Sequence, residues 1–471
     1  MADLIKEGEL IKADFFDNTG GVNYSDSPFK MPDTQATDGR NFSYALTGGF
    51  KKREGHTKEN SSADTQLYAL GYSQFIASDG TKSILRAAGR KLQNATTLGT
   101  VPYTNLTHNL IGTSSDIFGA DSVQQITWTQ MTSGTTPVLW FAGGDAPTNL
   151  HGAYSTTKVS HNGAAIPTGS IAVTDGAAGS LPTGYFTYAV ALYKSCTTFG
   201  SNVTLDVVYH VNAGKKAVID LTSVVNSDNI AQDYIRIYRS AVSASATGEI
   251  GFTSGTLIAT VTAATTSYTD DYSLSSLSTV QRAGASSDSA DNAQLPSGTY
   301  KYVTTWNGRL TCAAGSTIYY SDVGRPEAWP TLNYQTIPGP GDITGLAVVS
   351  FNTATTANVA EFLVVFKESS MYIFKGSSRS VTSTDPYTLI FIDKIGCINQ
   401  SCIVNCNGFI SWMDYKGIYL WDGSSKPIYV SRPLEPLFQL NGDIDKANLS
   451  LAHGCYITKN KEIMWVVPHL I

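Results

Sequence analysis

The residues able to do chemistry in this chain are few and scattered. Six cysteines (Cys196, Cys312, Cys397, Cys402, Cys406 and Cys455) are spread over 471 residues, a spacing unlike the dense frameworks of small disulfide scaffolds. Reduced thiols are therefore expected. If Cys402-Ile403-Val404-Asn405-Cys406 is one strand, its alternation puts both outer thiols on one face, close to Cys397 in sequence. No paired Cys-x-x-Cys accompanies them, so no zinc site is expected. Oxygen-rich stretches occur at Asp270-Asp271, at Asp288 with Asp291, and at Asn441-Gly442-Asp443-Ile444-Asp445. Each could offer ligands to calcium, yet none carries the glycine and distal glutamate of a complete EF-hand loop, and polar turns are expected instead.

Nucleophilic and phosphate chemistry find equally little purchase. The chain has no Gly-x-Ser-x-Gly elbow, no His-Glu-x-x-His and no Gly-x-x-x-x-Gly-Lys-Ser/Thr loop. His56, His108, His151 and His161 sit beside turn residues and read as surface groups. The glycine pairs Gly20-Gly21, Gly48-Gly49 and Gly143-Gly144 mark turns, because no strand-then-helix context follows them. The compact basic run Lys51-Lys52-Arg53 reads as a solvated turn. A formal net charge of −6 gives no electrostatic footprint for tight nucleic-acid binding. The expectation is a protein that is not an enzyme, with no catalytic, cofactor-binding or metal-binding residues and no cofactor.

The elements that must position these residues are β-strands. Only 15% of residues are charged while 42% are hydrophobic, with Tyr, Phe, Val and Ile favouring pleated surfaces. A surface rich in Ser, Thr, Gly and Asn suits self-assembly, where a charge buried at an interface costs desolvation. Short apolar or alternating runs recur between polar turns. Four hairpins stand out: Gly308–Cys312 with Ile318–Ser321; Glu361–Phe366 with Met371–Phe374 across a turn at Lys367–Ser370; Gly408–Trp412 with Ile418–Gly423 across Asp414–Gly417; and Gly454–Ile457 with Glu462–Val467. Their spacing, ~40 to 50 residues, is that of propeller blades. Tyr372, Tyr419 and Trp465 are expected to pack between blades. A β-sandwich or an extended array of hairpins has the same periodicity and stands as the alternative.

Residues 165–285 differ, being rich in Ser, Thr and Ala. They contain strand patterns at Gly184–Tyr193, Ala217–Leu221, Tyr234–Arg239, Leu257–Val261 and Ser267–Asp271, enough for a fibronectin- or immunoglobulin-like sandwich. Linker-like flanks at 164–169 and 283–288 make it an insertion. The predicted fold class is thus all-β, a β-propeller-like domain with an inserted β-sandwich: 1–164 is an N-terminal segment and the first part of the propeller, 165–285 the sandwich, and 286–471 the remainder. The opening Met1–Glu7 lacks the basic and apolar regions of a signal peptide, and no run approaches the ~18 apolar residues of a membrane span. Production and assembly in a cytoplasm are expected.

Three stretches resemble the tail nozzle and hub (tail tube) proteins of short-tailed bacteriophages, which are of β-propeller type. The first runs from Gly20-Gly21-Val22-Asn23 through Ser27-Pro28 and Arg40-Asn41 to Gly49-Phe50-Lys51-Lys52-Arg53-Glu54-Gly55. The second is Ser321-Asp322-Val323-Gly324-Arg325-Pro326-Glu327-Ala328-Trp329, similar to a strand exit in those propellers. The third is the hairpin from Phe362 to Gly376. The resemblance implies a virion structural protein of the phage tail: a homo-oligomeric ring, usually a hexamer, that contacts other tail or connector proteins and passes viral DNA during ejection without sequence-specific binding. It also puts Trp465–Ile471 inside a final hairpin, so that blade closure falls to another segment or to residues beyond Ile471. A wall that is neutral to acidic would not grip phosphate. The rival expectations are a receptor- or glycan-binding tail protein and an extracellular carbohydrate-active propeller enzyme, which would need clustered carboxylates or an aromatic platform.

Overall fold

The computed structural model describes residues 69–89, 91–95, 104–108, 125–143, 150–153, 158–163, 167–194, 199–200, 204–226, 234–246, 255–272, 295–296, 298–352, 359–377, 387–406, 408–423, 426–439, 442–458 and 461–469, with short strand segments at 21–22, 35–36, 42–44 and 50–52. These divide into two compact units. One comprises Asn60–Lys367 and Ile373–Ile390; the other comprises Met1–Glu59, Glu368–Tyr372 and Phe391–Ile471.

The fold is all-β, built from β-propeller-like blade sheets with an inserted β-sandwich. In the larger unit the first blade sheet runs Ala69–Ile76, Lys82–Ala88, Lys91–Ala95 and Thr104–Asn105, each strand antiparallel to the next. The second runs Ile126–Ser133, Thr136–Gly143, His151–Ala153 and Lys158–His161, extended by Thr107–His108. The third runs Tyr302–Trp306, Arg309–Ala314, Thr317–Tyr320 and Tyr334–Thr336. A fourth sheet has Ile343–Asn352, Val359–Lys367, Met371–Lys375 and Thr388–Asp393 in sequence order, of which 371–372 and 391–393 are counted with the other unit. Such meanders follow from two-residue turns. At Asn307 and Gly308 both φ angles are positive, +47° and +65°, the conformation that an Asn-Gly hairpin loop adopts at least cost.

The strand Thr136–Gly143 explains why the sheets stack. Leu139 and Phe141 join a buried cluster with Leu85, Leu92 and Phe75 of the first sheet. Val138, Trp140 and Ala142, on the opposite face, join Val303, Leu310 and Trp329 of the third. With side chains alternating between faces, one strand serves two cores. Gly152 lies across from Trp140, and a Cβ there would come within 2.7 Å of the indole ring, so glycine makes room for it. The third and fourth sheets meet through Trp306, whose ring lies 5.1 Å from Phe374 and whose indole N–H donates to the Glu361 carbonyl.

The sandwich lies in the same unit. One sheet pairs Ala172–Ala178, Lys215–Asp220 and Ser267–Asp270; the other pairs Thr204–Val211, Gly184–Lys194, Tyr234–Arg239 and Thr256–Thr262, with Phe199–Gly200 added beside Gly184–Lys194. Its core, including Val173, Ala217 and Ile219 against Phe186, Tyr188, Val190, Leu192, Ile235 and Ile237, is drawn from these strands and the residues flanking them, Ile171, Leu181 and Leu221. Within the flank read as a linker, Pro167–Thr168 pairs with Val225–Asn226. The second expected linker, 283–288, lies outside the described residues.

In the other unit a four-stranded sheet runs Ile403–Asn405, Ile410–Asp414, Gly417–Trp421 and Ile428–Tyr429. A hairpin pairs His453–Ile457 with Glu462–Val466 along its whole length. The early strands Gly21–Val22 and Gln35–Ala36 pair in parallel, and Phe42–Tyr44 pairs with Phe50–Lys52. Lys51 and Lys52 therefore sit on a strand rather than in the expected turn; Arg53 lies outside the described residues.

Candidate functional site: a buried polar junction in the larger unit

The stretch singled out as a strand exit, Ser321–Trp329, leaves the strand Thr317–Tyr320 and leads as a stack of tight turns toward Tyr334–Thr336, the last strand of the third blade sheet. Ser321 Oγ accepts from the Leu310 N–H and donates to the Asp322 carbonyl. Arg309 donates to the Ser321 carbonyl and lies 3.6 Å from Asp322. Gly324 takes a φ of +68°. These turns carry Glu327 into the interior, where its side chain is wholly buried.

Its partner comes from 133 residues earlier in the chain. In the strand Gly184–Lys194 the even positions Phe186, Tyr188, Val190 and Leu192 face the sandwich core, and Lys194 is next in that row. A lysine stands where the pattern calls for an apolar residue. Its Nζ is 3.0 Å from Glu327 Oε2 and also donates to the His161 carbonyl at 2.7 Å. Glu327 Oε1 accepts from Ser133 Oγ at 2.9 Å, and Oε2 accepts from the Gly163 N–H at 3.2 Å. A φ of +82° at Gly163 aims that N–H, in a region of backbone space that favours glycine. Asn162 completes the junction by donating to the Pro326 carbonyl and accepting from Trp329 Nε1. Sandwich, second sheet and third-sheet exit meet here, and both carboxylate oxygens are satisfied. The arrangement holds charge in place: the Ser133 hydroxyl donates to a carboxylate that also holds Lys194, and all three side chains are buried.

The other candidate groups are committed in similar ways. Asp270, weighed as a calcium ligand, accepts from Tyr188 Oη at 2.8 Å and Arg239 Nη1 at 2.5 Å through Oδ2, and from the Tyr272 N–H through Oδ1. Burial beside that carboxylate drives the Tyr188 phenol far above its ordinary range. Asp271 binds Ser180 and, at 3.0 Å, Lys216, and these bonds hold its carboxyl below the usual range. Asp445 caps a short 3-10 helix, Lys446–Leu451, by accepting from the Ala447 and Asn448 N–H groups, as a helix-capping aspartate does. Asp443 lies 4.0 Å from His469. Asp288, Asp291 and Asn441 lie outside the described residues.

Two expectations need correction. Cys402 ends a 3-10 turn, Gln400–Cys402, and the strand spans only Ile403–Asn405. The two thiols therefore flank a short strand, and burial alternates along it, with Cys402, Val404 and Cys406 buried and Asn405 exposed. Burial raises the Cys397 thiol strongly and pushes Cys402 up to about 12, and their hydrogens go to the Asn399 and Ala452 carbonyls. Among the described residues, no group of three or more His, Cys, Asp or Glu is placed to hold a metal ion. His151 and His161 are not surface groups: they pair across neighbouring strands, are buried and stack at 4.6 Å between ring centroids. His56 lies outside the described residues, and only the backbone of His108 is described. Tyr419 packs against Trp412 and Tyr429 of its own sheet.

No protein-family model matches the chain, and no curated protein matches it. Among solved structures, the extracellular domain of a one-component system, BT4673, from B. thetaiotaomicron is similar at 10% identity over 83% of this chain and 51% of that one, with a TM-score of 0.20. The AfRom2 CNH domain is similar at 9% identity over 74% of this chain and 94% of that one, with a TM-score of 0.16. The chain spans about half the length of the first, and at such scores neither bears on function.

Proposed function

We propose that the chain is a structural subunit of a bacteriophage tail, part of the oligomeric nozzle or tube through which DNA leaves the virion, and that it works by assembly rather than by catalysis. The observation that carries this reading is a repeated feature of the blade sheets. The last strand of the third sheet and its approach expose Leu332 and Tyr334, the last strand of the fourth exposes Phe391, and that of the sheet ending at Ile428–Tyr429 exposes Ile428, with Val430 just beyond. Scattered exposed apolar residues are ordinary. Their recurrence on the outer strand of three sheets is what a chain needs if neighbouring copies cover those edges. The internal use of charge at Lys194–Glu327 and Arg239–Asp270 fits the same reading, since it leaves a neutral polar surface for contact.

The experiment is native mass spectrometry with negative-stain microscopy of the purified full chain. A closed oligomer with a central hole, six-membered on the family resemblance, is expected. Ile428→Lys combined with Tyr334→Lys should shift it toward monomer while leaving circular dichroism unchanged. A wild-type chain that stays monomeric, alone and with tail components, removes the proposal.

A further inference from the structure

We infer that the Lys194–Glu327 pair is a positioning lock that fixes the sandwich against the blade sheets, so that the insertion is a rigidly held arm and not a tethered module. This inference stands independently of the proposed function. Neither residue is needed to close a core of its own: Lys194 lies past the last apolar position of its row, and Glu327 lies in a loop beyond the final residue of Thr317–Tyr320. Each nevertheless is buried, with 4% and 0% of its side chain exposed. Removing two charges from water is costly, and the cost is offset only where attraction and further hydrogen bonds are well arranged. Here the lysine reaches a backbone carbonyl of the second sheet and a carboxylate of the third. The carboxylate in turn takes Ser133 and the Gly163 N–H.

The geometry therefore specifies one orientation. A sandwich rotated about its flanks would leave the buried Glu327 carboxylate without its cation, with Ser133 and Gly163 as its remaining donors. An apolar contact would tolerate sliding, while a pair with these four donors and acceptors does not. Buried ionic groups that set register rather than add stability have precedent in principle.

The test uses the full chain and hydrogen exchange with small-angle scattering. In wild-type protein the amides of Asn162, Gly163 and Ala328 should exchange slowly. In Lys194→Met they should exchange at least about tenfold faster, while Ala189 and Val190 inside the sandwich and Leu139 and Phe141 inside the second sheet stay protected. Scattering should broaden from one arrangement to many. Should Lys194→Met fail to fold, Lys194→Met with Glu327→Gln removes both charges and must show the same split. Unchanged exchange at Gly163 together with an unchanged scattering profile in either folded variant overturns the lock. Failure of both variants to fold also overturns it, because the pair would then be required for the fold and not for placement.

Discussion

The sandwich and the blade sheets solve the same burial problem in opposite ways. Every residue of the sandwich core comes from within residues 171–258, and the buried pair Arg239–Asp270 is closed inside it, with Lys194 reaching outward. The second blade sheet has no private core; its two faces contribute to clusters shared with the first and third sheets. Autonomy and sharing have different consequences for damage. A fault in a private core should stay local, whereas one in a shared core should spread to the neighbour.

The largest expected effect tests the private side. Asp270→Asn leaves the fully buried Arg239 guanidinium without its charge partner, a change that costs about 3–5 kcal/mol when one member of a buried pair is removed. Exchange of the amides in Tyr234–Arg239 and Gly184–Lys194 should accelerate, with the first blade sheet untouched. Equal loss in the sandwich and the first sheet would contradict the comparison. On the shared side, Leu310→Ala in the third sheet should cost about 2–5 kcal/mol through the cavity it opens. Exchange should quicken in Thr136–Gly143 of the second sheet as well as in Arg309–Ala314. A loss confined to the third sheet would show that the clusters are separable.

A smaller effect concerns a buried carboxylate handled differently again. Asp414 is raised above the ordinary carboxylate range chiefly by burial, opposed by the Tyr415 N–H and Lys416 and assisted by Glu368. A carboxyl whose folded value is raised contributes stability that is fully present below its unfolded value and lost as pH rises through the folded one. Asp414→Asn keeps the acceptor for Tyr415 and should flatten that acidic dependence, with the variant gaining on wild type as pH rises through the window. Thermal melts from strongly acidic to neutral pH measure it. Parallel curves for the two proteins would show that Asp414 ionises freely.

Much of this architecture was legible in the chain because alternation and polar turns survive wherever one face of a strand meets water. The strand Tyr234–Arg239 was read at its observed limits, and the four hairpins near Cys312, Phe366, Trp412 and Met464 were read within a few residues. The second sheet was not resolved into strands. Val138–Ala142 is an unbroken apolar run because both faces are buried, and Pro137 beside it argues against a strand. His151 and His161 look like turn residues because their stacking partner is supplied by pairing across strands. The junction was hidden for a different reason. In the sequence Glu327 stands out only as part of a motif, and nothing local to Lys194 points across 133 residues. The available signal was a lysine at the next even position after Leu192, continuing a row that is otherwise apolar.

The way the chain re-enters the blades after the sandwich bears on how such a molecule can change over generations. Tyr300 accepts from the Gly143 N–H, Val303 donates to Thr127 Oγ1, and Thr305 meets Thr129 at 2.8 Å. The strand that follows the insertion thus docks on the sheet that precedes it, through contacts that use no residue of the sandwich. In genetic terms the arrangement is that of a cassette, because these bonds join what lies before the segment to what lies after it without passing through it. Glu327 restricts the trade, because an incoming segment must bring its own cation to that carboxylate or arrive with a neutral residue already in its place.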